Sequence, residues 1–304
     1  MQADAAATEL SQLAMLPPPI IVLGARTAST ALVGAMIGRN PAAFGCPQLN
    51  LFAGDTLERM LEAMPGPNHV HGLLRTIAYV YGSEQTIISV GMARRWIFRR
   101  LSWPTSQVFD ELRRRVAPQR VVDKSASYSQ NPKFLERIRA AYADAHYVHV
   151  VEHPLTPGAT LLSAASQGAG NGGMPRAAAA SPQDQTQWLS CQHLIARAMN
   201  LVPPKQRAVL RWERLLADPL AELSALCERL DLPNNQVALA EMLHPENSSF
   251  AKFGPVGANL GDDVAFLHDP NFPPKNDVSG QELQPNGTGL LPEVAQFVTQ
   301  YGYD

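Results

Sequence analysis

Four short segments of this 304-residue chain hold the side chains that chemistry would need. The first is Gly24-Ala25-Arg26-Thr27-Ala28-Ser29-Thr30. Small residues at a strand-to-helix turn let backbone N–H groups converge on an anion, and a helix N-terminus adds partial positive charge there. Arg26 would supply a fixed cation, and Ser29 and Thr30 hydroxyl donors. No Gly-Lys-Ser/Thr follows, so this is not the triphosphate-binding P-loop. Without an anion, the same residues make an ordinary turn whose Ser and Thr cap a helix.

The second segment is Val121-Val122-Asp123-Lys124-Ser125-Ala126-Ser127-Tyr128. An acid beside a lysine at the carboxyl end of a strand sits where open α/β sheets place ligands. Asp123 would take a proton from an acceptor hydroxyl, and Lys124 would steady charge on a leaving phosphate. A solvated ion pair is the plainer alternative. The third segment is His149-Val150-Val151-Glu152-His153-Pro154, followed by Thr160 and Ser163. The fourth is Leu210-Arg211-Trp212-Glu213-Arg214-Leu215-Leu216-Ala217-Asp218-Pro219. Alone, neither specifies a reaction.

These segments need a scaffold, and the chain reads as one. Pro17-Pro18-Pro19 breaks any preceding helix, and Ile20 to Leu23 is a short apolar, β-branched run that predicts a buried strand. Ser29 to Arg39 reads as a helix closed by Asn40-Pro41. Residues 55–64, 69–82, 94–98, 107–116, 134–142, 220–230 and 291–301 carry helical patterns. Residues 120–122, 146–151 and 208–211 read as further strands. Strands alternating with helices imply a mostly parallel sheet. The fold expected is a three-layer, P-loop-like α/β fold with a helical and irregular cap. Residues 1–17 are an N-terminal extension and 18–304 the domain. Residues 167–182 read as a loop, and 247–289 as an irregular cover over function.

Net charge is −2, with 45% hydrophobic and 17% charged residues. No broad basic field points to nucleic acid or an anionic membrane, so an anionic ligand must be met by a local pocket. Cys46, Cys191 and Cys227 are far apart and odd in number, with no metal-ligand spacing. With no signal-peptide pattern and no membrane-length apolar run, the expected setting is cytoplasmic.

In order, the segments resemble the sulfotransferases that use 3′-phosphoadenosine 5′-phosphosulfate. The 24–30 turn is similar to that family's Pro-Arg-Thr-Gly-Ser-Thr loop, which holds the 5′-phosphosulfate. Val122 to Tyr128 is similar to its Asp/Glu-Lys-Ser-Pro-Ser-Tyr segment. Glu152-His153-Pro154 falls where the family has Arg-His-Pro or Arg-Asp-Pro, and Leu210 to Pro219 resembles its Arg-Tyr-Glu-Asp-Leu…Asp-Pro stretch. Asp269-Pro270-Asn271-Phe272 is similar to a late Gly-Asp-Pro-Asn-Phe element. The resemblance spans roughly residues 18 to 303. Cys46 to Phe52, Arg95-Trp96 and Tyr301-Gly302-Tyr303 bring it nearest to sulfotransferase domains of polyketide and peptide assembly lines, which sulfonate a hydroxyl on a carrier-bound acyl chain.

The resemblance implies a sulfuryl transfer with Asp123 as base and Lys124 and Arg26 stabilising charge. Arg26, Thr27, Ala28, Ser29, Thr30, position 152 and Thr160 would bind the donor, Gln48 and His153 would lie near the acceptor, and no metal is required. The chain departs from the pattern where it matters. Glu152 replaces the arginine that would meet the 3′-phosphate. At an effective dielectric near 20, unit charges about 4 Å apart interact by roughly 4 kcal/mol, and this exchange reverses the sign. Ala28 replaces a glycine, Thr160 a serine, and Gln48 a frequent glutamate. Three readings follow. One is a working sulfotransferase with a rebuilt 3′-phosphate site, using Arg176, Arg197 or Lys252. The second is a reused fold acting on an acyl substrate without this donor. The third is a module that docks a carrier protein. His244 and His268, like His153, are further histidines within reach of such a site.

Overall fold

The computed structural model describes residues 16–25, 27–155, 181–273 and 289–303. Five strands form one parallel sheet in the order β2-β3-β1-β4-β5: β1 (Ile20–Gly24), β2 (Ala43–Gly45), β3 (Arg120–Asp123), β4 (His146–Val151) and β5 (Arg207–Arg211). Four were expected from sequence. The fifth, β2, is three residues long and follows Pro41, too short for an apolar run to register.

Alternate side chains of a strand face opposite sides of a sheet. Here both sides are covered, as parallel sheets require. Ile21 and Leu23 enter one core with Val121, Tyr128 and Tyr147. Helices α3 (His71–Gly82), α4 (Ile87–Phe98), α5 (Thr105–Val116), α6 (Pro132–Ala141) and α7 (Pro182–Asn200) supply the rest of that layer. Ile20 and Val22 enter the other core with Val122, Val148 and Val150, against α1 (Thr27–Gly38), α9 (Pro219–Leu230) and α10 (Gln236–Met242). Each fully buried aliphatic side chain contributes roughly 1.5–3 kcal/mol. The three-layer α/β expectation holds. Also in chain order are α2 (Leu57–Ala63), α8 (Trp212–Ala217), α11 (Val264–His268) and α12 (Pro292–Thr299).

After β1 the chain moves to β2 and β3 on one side, then to β4 and β5 on the other. The connections therefore diverge between β1 and β4. A crevice opens there beyond the carboxyl ends of the strands, the position where open α/β sheets bind ligands. No described helix is long and apolar enough to cross a membrane.

Candidate active site

The turn after β1 meets that crevice directly. Gly24, in register with Val150 of β4, passes to α1 within three residues. The first-turn amides of α1 have no intrahelical acceptor and point toward the strand ends. Ser29 and Thr30 are buried in this turn. A side chain at Gly24 would collide with the Thr30 hydroxyl, so glycine permits the tight entry. Arg26 and Thr160, both expected at the donor, lie outside the described residues, as does the side chain of Thr27. Ala28 occupies the first turn of α1, in the helix itself.

Asp123 and Lys124 end up on opposite faces of the sheet, so the solvated pair allowed by the sequence does not form. Asp123 is fully enclosed. Its Oδ1 accepts from the Ser125 hydroxyl (2.6 Å) and the Ser125 amide (3.1 Å), and its Oδ2 from the Tyr128 hydroxyl (2.8 Å). Burial pushes its pKa up to about 6, opposed by the hydrogen bonds from Ser125 and Tyr128. Burial and the Asp123 charge also raise Tyr128, keeping its hydroxyl a donor.

Lys124 turns into the α1 layer and is 3% exposed. Its Nζ pairs with Asp262 and lies 4.3 Å from the centre of the Phe266 ring. Its stem runs over Gly34 of α1, where any side chain would meet it. Asp262 comes from the 247–289 stretch expected to be irregular cover, and a partner 138 residues away has no local signature. The positive-φ residue Gly261 before it (φ 106°) is what turns that stretch over the site. The Gly261 carbonyl also accepts the amide of Gln48 (2.8 Å). The Gln48 and Gly261 carbonyls occupy the space that a Cβ on Gly72 would need.

That contact sets His71 at the start of α3, beside Gln48 and the Asp262 loop. His71 was not singled out by sequence. Its Nδ1 accepts the Leu260 amide (3.4 Å), and burial, with Arg94 and Arg75 nearby, lowers its pKa. A neutral ring with Nδ1 occupied carries its proton on Nε2, so His71 offers a donor.

The β4–β5 side is built differently. Glu152 and His153 follow β4 and are buried. The His153 amide donates to Glu213 Oε1 (2.8 Å), its Nδ1 accepts the Leu155 amide (3.2 Å), and its ring packs on Tyr303 (5.2 Å). Glu213 Oε2 accepts the Tyr303 hydroxyl (2.6 Å). Arg211, in register with Val151, stacks on Tyr303 (4.0 Å) and donates to the Gly302 carbonyl (2.8 Å). Its charge is thus directed at the chain's last residues.

Two of the cations suggested as substitutes at the 3′-phosphate fall among the described residues. Lys252 adjoins Phe250, which packs on Phe44 of β2, three strands from β4. Arg197 lies in the last turn of α7, on a groove with Leu135 and Arg139. Arg176 lies outside the described residues. Of the other two histidines considered, His244 pairs with Glu246 and His268 packs on Phe253.

A family model described as "Sulfotransferase family" matches residues 18–236. A sulfotransferase domain from the curacin biosynthetic pathway has a similar structure, with TM-score 0.75 and 23% identity over 95% of this chain and 99% of that one. The sulfotransferase domain of the Synechococcus PCC 7002 olefin synthase gives TM-score 0.72 and 17% identity, covering 95% of each. No curated protein sequence matches the chain.

Proposed function

The chain belongs to the sulfotransferase family, transferases of sulfur-containing groups, and from that premise we propose that it moves a sulfuryl group from 3′-phosphoadenosine 5′-phosphosulfate to a hydroxyl of a carrier-bound acyl substrate. The observation that carries this reading is the N-terminus of α1, set at the divergence of the parallel sheet beyond the carboxyl end of β1. The carrier-bound acceptor is supported by the shared fold with the curacin-pathway and olefin-synthase domains.

The donor supplies an activated sulfuryl group on a phosphate. The α1 amides, Ser29 and Thr30 fit its 5′ end, and Arg26 is assigned there from sequence alone. Lys124, aligned by Asp262, steadies charge on the phosphate as it leaves. The 3′-phosphate side fits poorly. Glu152 stands where the family has an arginine, and the cation in the neighbouring strand, Arg211, is engaged with Tyr303 and Gly302. The donor is therefore held mainly by its 5′ end.

At the acceptor, His71 Nε2–H and Gln48 orient the hydroxyl. Both Asp123 oxygens already accept hydrogen bonds, so the acceptor's proton passes to the Ser125 hydroxyl while the Ser125 proton passes to Asp123. A base with a pKa of about 6 suits this near neutrality.

The test offers labelled donor and a 3-hydroxyacyl pantetheine to wild type and to Lys124→Ala. Label should appear on the acyl product with wild type and be lost with the variant. Equal transfer by both would remove Lys124 from the reaction. Absence of transfer by folded wild type would overturn the proposal.

A further inference from the structure

Helix α4 carries apolar residues on its outer face as well as its inner one. A solvent-facing helix normally places its apolar stripe inward and polar residues outward. In α4 the inward stripe is Ser89, Val90, Ala93 and Ile97. The outward arc also carries large apolar groups: Ile87, Ile88 and Phe98 are 63%, 74% and 59% exposed, and Met92 is nearly half exposed. Interleaved with them are exposed Arg95 and Arg99. Residues 87–103 include four arginines and no acidic residue, although the chain as a whole is at −2. One of the four, Arg100, is folded between Trp96 and Trp103 (4.1 and 4.7 Å), so the outward charge comes mainly from Arg95 and Arg99. An exposed apolar patch of this kind, rimmed with one sign of charge, marks an interaction surface.

The patch is continuous with the acceptor side of the site. Arg94 donates to the Gly257 carbonyl (3.0 Å) and lowers the pKa of His71 by its charge. Val256 and Phe253 extend the exposed apolar surface along the same loop. Five residues past Gly257 the loop reaches Asp262, which pairs with Lys124.

We propose that the outer face of α4, with the 252–257 loop, docks an acidic, helical carrier domain, so that an acyl group on its flexible thioester arm enters past His71 and Gln48. The inference rests on the proposed sulfotransfer to a carrier-bound hydroxyl and adds where the carrier sits. Apolar residues would bury its helix, and Arg95 and Arg99 would meet its acidic groups. Electrostatic attraction of this kind speeds encounter and weakens with salt.

The test is calorimetric titration of the full chain with an acidic acyl carrier domain loaded with a 3-hydroxyacyl pantetheine. Binding should weaken about tenfold or more in Arg95→Glu/Arg99→Glu and in Ile88→Asp. Transfer to the free 3-hydroxyacyl pantetheine should be unchanged in the same variants. Carrier affinity that is undetectable in wild type, or unaltered by both variants, would overturn the docking face. So would dimerisation of wild type that Ile88→Asp abolishes, or sedimentation with anionic vesicles that the charge reversal abolishes. Carrier binding that responds to the variants without any sulfuryl transfer would leave the docking face standing and overturn the reaction.

Discussion

The two sides of the sheet's crevice solve different problems. On the β1–β3 side, backbone amides at a helix start meet the crevice, and buried Lys124 and two buried acids hold the frame behind them. Asp262 aligns Lys124, and Asp123 ties Ser125 and Tyr128. On the β4–β5 side the polar groups point at one another. Glu213 receives the His153 amide and the Tyr303 hydroxyl, and Arg211 lies against the chain's end. One side keeps capacity for an anion. The other has used it to fasten the C-terminal residues to the sheet.

The contrast is broken most severely at Lys124. Lys124→Ala should reduce turnover by about 10²–10³-fold, since it removes the charge proposed to steady the developing anion. It also strands Asp262 in the interior, which costs several kcal/mol. Lys124→Met/Asp262→Leu should therefore recover the lost thermal stability without recovering turnover. Recovery of both would make the pair structural.

The next effect is at Asp123. Its ordinary pKa is about 3.9, and burial raises it to about 6. Between these values the native state holds a proton that the unfolded chain has released. The Asp123 contribution to stability therefore falls as pH rises through that window, by about 3 kcal/mol. Asp123→Asn removes this titration. Urea unfolding of both proteins from pH 4 to 7 should show the stability of wild type relative to the variant declining by that amount. Turnover in wild type should rise as pH passes through about 6, and the variant should lack both the rise and the activity.

On the fastened side, Glu213→Ala removes the carboxylate that accepts from the His153 amide and leaves the Tyr303 hydroxyl with the Val151 carbonyl (3.2 Å). It should cost about 1–3 kcal/mol by urea unfolding. Tyr303→Phe removes the hydroxyl shared between Glu213 and the Val151 carbonyl and should cost about 1 kcal/mol. If Tyr303→Phe were as costly as Glu213→Ala, the Glu213 hub would not be what secures this side.

The fold was largely legible because its central strands are short apolar runs bounded by proline, glycine or charge. The elements that escaped did so for physical reasons. Helix α7 places Gln185 and Gln192 on its buried face, bonded to Gly289, Leu291 and His149, so its apolar stripe is interrupted. Helix α4 is apolar on both sides, which blurs its period and left only residues 94–98 readable. The phosphate-side turn, Asp123 and Lys124 were visible as a motif. Their separation onto two faces followed from strand alternation. Asp262 and His71 were not visible, because they reach the site through contacts far apart in sequence. The Glu152 exchange was readable from sequence, and the structure adds that Arg211, beside it, is already engaged.

The grip proposed for the donor is firm at its 5′ end and poor at its 3′-phosphate. It is tested most directly by titrating wild type and Glu152→Arg with adenosine 3′,5′-bisphosphate in a calorimeter. Wild type should bind weakly, with a Kd well above about 1 μM, and the variant at least about tenfold more tightly. Micromolar or tighter binding by wild type, with no gain from Glu152→Arg, would contradict it.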